Sequence, residues 1–269
     1  MTFPSSPRVV YDKNPLESVV CQLRFPPILR IDAEPPAAYQ DRVRERYPLL
    51  RERPAVDLGA VLPPGLRLPP QVATMLTAEL SGGQRNMAYD FITADGDWTV
   101  TLHREYLAVA TRRYKRWEQF REHLEFALLA LVDLYKPAFF IRIGLRYRNV
   151  ILRSHLDLSG RPWVELLQDH IAAELSKSEV ADAVVQALHQ LTINLGNGQS
   201  RVQLRHGLGT TNDPADTPYL IDADFSTDQR TETDNAIERL NHFHTQAGHL
   251  FRWCIRTTLH QAMGPRSPE

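Results

Sequence analysis

The chain has 269 residues, 43% of them hydrophobic and 23% charged, enough to bury one large core or two small ones. Lys plus Arg number 31 against 32 for Asp plus Glu, which excludes attachment to nucleic acid or an anionic membrane by overall charge, though not by a local patch. Two cysteines without a CxxC, an N-terminus with neither a basic head nor an apolar run, and no apolar stretch near the roughly 18 residues of a membrane span predict a cytoplasmic protein. Neither a disulfide framework nor a thiolate zinc site is expected.

Residues 17 to 25 alternate, with Val19, Cys21, Leu23 and Phe25 set toward a core and Ser18, Gln22 and Arg24 away from it, a strand stopped by Pro26-Pro27. A helix is predicted over 36–47, opened by Pro36 and ended before Pro48. Residues 48 to 86 carry five further prolines and Gly82-Gly83, and read as a long loop with one short helix near 70–80. From 87 to 112 the pattern is β, with a tight turn at Asp95-Gly96 and a third strand near 106–112. Phe120, Leu124, Leu128, Leu131 and Tyr135 then fall on one helical stripe, closed by Pro137.

Residues 138 to 149 alternate again, Phe139, Ile141, Ile143, Leu145 and Tyr147 against Arg142, Arg146 and Arg148. A helix near 162–174 begins at Pro162, and an ill-defined helical stretch runs to about 188. Segments 189–195 and 200–206 read as a hairpin through Gly196-Asn197-Gly198, Tyr219 to Phe225 as a further strand, and 233–263 as one long helix stopped by Gly264-Pro265.

The order strand, helix, three strands, helix over 15–136 recurs over 137–264. The leading strands match locally, Leu23-Arg24-Phe25-Pro26-Pro27-Ile28-Leu29 against Leu145-Arg146-Tyr147-Arg148-Asn149-Val150-Ile151. The fold class expected is α+β: two β-α-β-β-β-α units joined in one largely antiparallel sheet, with the long helices on one face. By analogy this resembles TATA-binding-protein-like or helix-grip saddles, which fixes no function. The other face would carry Gln22, Arg24, Arg142, Arg146, Arg148, Arg201, Gln203, Arg205, Asp222 and Asp224.

Asn14-Pro15-Leu16 leading into Val19-x-x-Gln22-Leu23-Arg24-Phe25, the block Leu145-Arg146-Tyr147-x-Asn149-x-Ile151, and a C-terminal helix after an Asp222-x-Asp224 strand together resemble an uncharacterised, sporadically distributed bacterial family. The resemblance covers nearly the whole chain, with Arg148 as a departure where a smaller or aliphatic residue is usual. Sporadic distribution implies horizontal transfer, as for genes of mobile or defence islands. The resemblance carries over no activity, substrate or catalytic residue.

Four constellations carry chemistry. In Arg112-Arg113-Tyr114-Lys115-Arg116-Trp117, four cations and two aromatics suit phosphates and a stacked base, while the plainer reading is a solvated corner paired with Glu105, Glu118 and Glu122. Arg24, Arg142, Arg146, Arg148, Arg201 and Arg205, with Asp222 and Asp224, form a polar sheet face for a partner, unless these charges simply pair across the sheet. Asp222, Asp224 and Asp228 are a weak cation signal beside so many arginines, and no metal or cofactor is expected. His242, His249, Trp253 and Arg256 share a helical stripe opposite the apolar one, a partner or dimer surface or a solvated face. Nucleophile, phosphate-loop and dinucleotide motifs are absent from the sequence. The expectation is a non-catalytic binding or interaction protein, in a bacterial defence or toxin-neutralising setting, with a protein partner or a second copy of itself. The alternatives are a nucleic-acid-binding protein using the basic corner and a metal-independent hydrolase or nuclease.

Overall fold

The computed structural model describes residues 2–54, 87–196, 198–209 and 216–268. In chain order the strands are β1 (Val10–Tyr11), β2 (Leu16–Arg24), β3 (Leu49–Pro54), β4 (Met87–Ile92), β5 (Trp98–His103), β6 (Tyr106–Thr111), β7 (Arg142–Ile151), β8 (His189–Asn194), β9 (Arg201–Leu208), β10 (Tyr219–Thr227) and β11 (Pro265–Arg266). The α-helices are α1 (Arg30–Ala33), α2 (Ala37–Val43), α3 (Trp117–Tyr135), α4 (Asp169–Ala172), α5 (Ala236–Cys254) and α6 (Thr257–Ala262).

Nine strands form one antiparallel sheet in the order β3-β4-β5-β6-β2-β7-β10-β9-β8, so the fold is α+β. The two leading strands, β2 and β7, pair with each other at its centre, Val20 opposite Arg146 and Gln22 opposite Gly144. Outward from them, β6-β5-β4 on one side and β10-β9-β8 on the other repeat the same meander, and β3 is an extra edge strand in the first half. Alternation decides which side packs. Val19, Cys21 and Leu23 of β2 join Ile143, Leu145 and Tyr147 of β7 in a single core with the apolar stripes of α3 and α5. β1 and β11 form a separate two-stranded ribbon, which ties the N-terminal segment to the end of the chain.

Several predicted elements differ. The segment 48–86 was expected to be a loop, yet it opens with β3, which pairs fully with β4; the six residues are all exposed, so no buried alternation marks them. The helix expected near 70–80 lies outside the described residues. The helix over 36–47 shrinks to α2 with a separate turn, α1, before it. The alternation of 138–149 slips at its start: Phe140 is buried and bridges Thr231, Ile141 is exposed, and the strand begins only at Arg142. The helix near 162–174 breaks into short turns around α4, with Ala173 at positive φ, and no helix fills 184–188.

The long C-terminal helix also breaks. Ile255 is extended and bridges Leu167, while Gln168 N–H donates to the Cys254 carbonyl and Arg256 N–H to the Leu166 carbonyl. Helical hydrogen bonds are thus exchanged for bonds to a segment some 90 residues away in sequence, so no glycine or proline is needed to stop the helix. Among the described residues no helix is long and apolar enough to cross a membrane.

Candidate functional site

A cavity of about 110 Å³ lies between α5 and the helix-covered face of the sheet. Its floor is β7 and β10, through Tyr147, Asn149, Ile221 and Ala223. α5 supplies one wall with His244, Ala247, Gly248 and Phe251, an i, i+3, i+4, i+7 set that shares one helix face. The corner between β6 and α3 supplies Tyr114 to Trp117, and the N-terminal segment closes the remaining side with Arg8 to Tyr11, Asn14 and Leu16.

The polar atoms inside are held by one another. The Tyr147 hydroxyl lies 3.0 Å from Nδ1 of His244 and is also hydrogen-bonded to the Tyr114 hydroxyl. Burial, with Arg8 nearby, holds His244 at about 4, so the imidazole is neutral and Nδ1 can accept the Tyr147 proton. Burial raises the Tyr147 phenol, which therefore stays protonated. Asn149 Nδ2 donates to the Ile221 carbonyl at 3.2 Å and Asn14 Nδ2 to the Tyr114 carbonyl at 3.2 Å. The Trp117 indole donates to Asn241 at 2.8 Å and stacks on His244 with ring centroids 4.8 Å apart. A Cβ built on Gly248 would meet nothing within 4 Å, so this glycine leaves space at the cavity wall where no close approach demands it.

The basic corner proves to be the rim of this cavity. Lys115 and Arg116 line it, and Arg112 and Arg113 lie just outside, with Arg113 3.3 Å from Asp97. The glutamates expected as partners are engaged elsewhere: Glu105 with Arg24 and Arg104, Glu118 with Arg8, and Glu122 with Arg46. Trp117 is only 5% exposed and faces inward, so it offers no free ring to a base.

The arginine face lies on the opposite side of the sheet and is internally paired. Arg146 holds Asp222 through two hydrogen bonds, Nε at 2.7 Å and Nη2 at 2.5 Å, and Asp222 is 4% exposed. Arg142 contacts Gln22 and Asp224 at 3.3 Å each, Arg148 meets Glu17 at 3.0 Å, and Arg201 meets Asp228 at 2.5 Å. Arg205 donates to Gln190 and Gln203. Asp222, Asp224 and Asp228 therefore each face an arginine, and burial raises the Asp224 carboxyl.

The stripe predicted on the last helix is not an open surface. The N-terminal segment crosses it: Phe3 packs on Trp253 with ring centroids 5.5 Å apart, and the Ser6 backbone N–H donates to Nδ1 of His249 at 3.2 Å. Arg256 donates to the Leu167 carbonyl and to Asp169, and only His242 stays exposed.

The sequence groups Tyr114, Lys115, Arg116 and Trp117 in one run but does not join Tyr147, His244 and Gly248 to them. Two signals were present, Asn149 as a polar residue in a core-facing series and Gly248 inside a helical pattern. Asn14, Tyr147 and Asn149, from two of the sequence blocks singled out above, meet in the cavity. No protein-family model and no curated protein matches the chain.

Proposed function

We propose that the protein is a non-catalytic binding protein whose ligand seat is the cavity between α5 and the sheet. The observation that carries this is the combination of apolar walls, an exposed Gly248 with open space at its Cβ, and the hydrogen bonds already made inside by Tyr147, Asn14 and Asn149. A preformed concave site of this kind is the usual form of a small-molecule site. Among the described residues no carboxylate, thiol or aliphatic hydroxyl lines it, so its polar side chains are those of tyrosines, asparagines, His244, Trp117 and three cations. The free, buried cysteines Cys21 and Cys254 fit a reducing, cytoplasmic setting. A defence-related role rests on the family resemblance alone.

The test is a small apolar and aromatic fragment panel, read by ligand-observed NMR on the wild type and on Gly248→Leu. Fragments that bind the wild type and are lost in a folded Gly248→Leu variant support the seat. Binding that is indifferent to this substitution removes it.

A second reading keeps the polar sheet face for a protein partner or a second copy, because Arg205 there hydrogen-bonds to Gln190 and Gln203 and makes no ion pair within 4 Å among the described residues. It predicts that Arg205→Ala weakens that association without changing fragment binding. The nucleic-acid reading is the weaker alternative, with Trp117 turned inward.

A further inference from the structure

The cations at the cavity rim differ from most others on the molecule. Arg42, Arg46, Arg146 and Arg201, for example, each meet a carboxylate, whereas Lys115 and Arg116 make no ion pair among the described residues. Both are exposed, and Arg116 occupies the N-cap position of the 19-residue α3 without capping it by a side-chain hydrogen bond. Adjacent like charges repel, and positive charge at the positive end of a helix is unfavourable. An anion held at this rim would relieve both effects.

The lining excludes the opposite choice. Its charged members are Arg8, Lys115 and Arg116, all cationic, in a chain whose net charge is −1. Arg8 is already neutralised by Glu118 at 2.7 Å and acts as wall rather than hook. A cationic ligand finds no counter-charge among the lining residues, and a polyhydroxylated one finds Asn14, Asn149 and Tyr147 already bonded.

Size narrows the class further. A cavity of about 110 Å³ compares with the roughly 150 Å³ of an engineered apolar cavity that takes up benzene in another protein. A single ring or a short branched chain fits; a nucleotide or a long acyl chain does not.

We infer that the ligand is a small acid, with an apolar body of about one ring seated against Ile221, Ala223 and Ala247 and an anionic head held at the rim by Lys115 and Arg116. This rests on the cavity being the ligand seat. Charge-assisted contacts to a carboxylate are the stronger class of hydrogen bond, so the head group selects while the body supplies contact area.

The test compares benzoate and its 4-methyl and 4-tert-butyl homologues with the corresponding benzamides, which match them in shape but carry no charge. Dissociation constants are measured by titration calorimetry or NMR at low salt, on the wild type and on the Lys115→Gln/Arg116→Gln double variant. The acids are expected to bind the wild type about tenfold or more tighter than the amides, and the double variant to lose that advantage while keeping the amide affinity. Two exposed side chains are changed, so an unaltered melting temperature shows that the fold is retained. If amides bind the wild type as well as acids, or the acid preference survives in the double variant, the cavity stands as a seat but the acid assignment is overturned. If neither series binds at millimolar concentration, the seat and the acid assignment both fall.

Discussion

The Tyr147 hydroxyl sits 3.0 Å from Nδ1 of His244, joining the central strand β7 to the helix that covers it, across 97 residues of sequence. Burial with Arg8 nearby holds His244 at about 4, below its ordinary 6.5, so the ring in this contact is neutral. In an NMR titration of the folded protein, the His244 ring proton is expected to stay constant through pH 6.5 and to move only near pH 4. Titration at the ordinary value would mean that the cavity wall is wet.

Stability should follow the same sign. His103, His123, His206 and His244 are each lowered from 6.5 to about 4, first of all by burial. The unfolded chain takes up protons at these groups below 6.5 before the folded one does, so stability is full above that value and falls as pH drops toward 4. Glu118, lowered to about 2 by Arg8, adds its own loss only below the ordinary carboxylate value of 4.5. Urea midpoints at pH 7.5, 6.5, 5.5 and 4.5 should decline chiefly over the last two intervals. A flat profile down to pH 4.5 would contradict the burial of these four rings.

The polar sheet face makes an unequal set of predictions for its arginines. Arg146→Ala leaves Asp222, 4% exposed, without its two-pronged partner and should cost about 2–3 kcal/mol, less than a fully buried pair because Arg146 itself is 44% exposed. Arg148→Ala breaks a pair exposed on both sides and should cost less than about 1 kcal/mol. Chemical denaturation of the two variants measures the contrast; equal costs would mean that the Asp222 contact is not maintained in solution.

Gly248→Ala tests whether the cavity wall is as open as the geometry has it. Glycine inside a helix is less favourable than alanine by about 1 kcal/mol, and the added methyl meets open space, so the variant should be more stable by up to that amount. A loss of stability would place an unseen neighbour against the helix.

The N-terminal segment should detach on its own. Phe3 is 4% exposed and holds the segment against Trp253. Phe3→Ala is expected to speed amide exchange from residue 6 to residue 11 while exchange in β2 and β7 stays unchanged. Uniform acceleration across the sheet would instead make the segment part of the cooperative core.

Much of this architecture is written locally. Val19, Cys21 and Leu23 alternate with Ser18, Gln22 and Arg24, broken only by Val20, and Ile143, Leu145 and Tyr147 with Arg142, Arg146 and Arg148, broken only by Gly144; that pattern indicates which face of β2 and β7 packs. β3 escapes such a reading because an edge strand with all six residues exposed buries nothing in alternation. The break at Ile255 escapes it because its cause is Leu167, far away in sequence. The cavity was illegible for the same reason. Asn14, Tyr147 and His244 belong to three separate segments, and the inward turn of Trp117 in the basic corner depends on Asn241, 124 residues away.

The most direct measurement is a methyl NMR map of a bound aromatic fragment on the labelled protein. The account predicts intermolecular contacts and shifts at Leu16, Ile221, Ala223, Ala247 and Leu250, all of them lining residues of the cavity. Shifts confined to residues beside Arg142, Arg146 and Arg205 on the far face of the sheet, with these methyls unmoved, would contradict it.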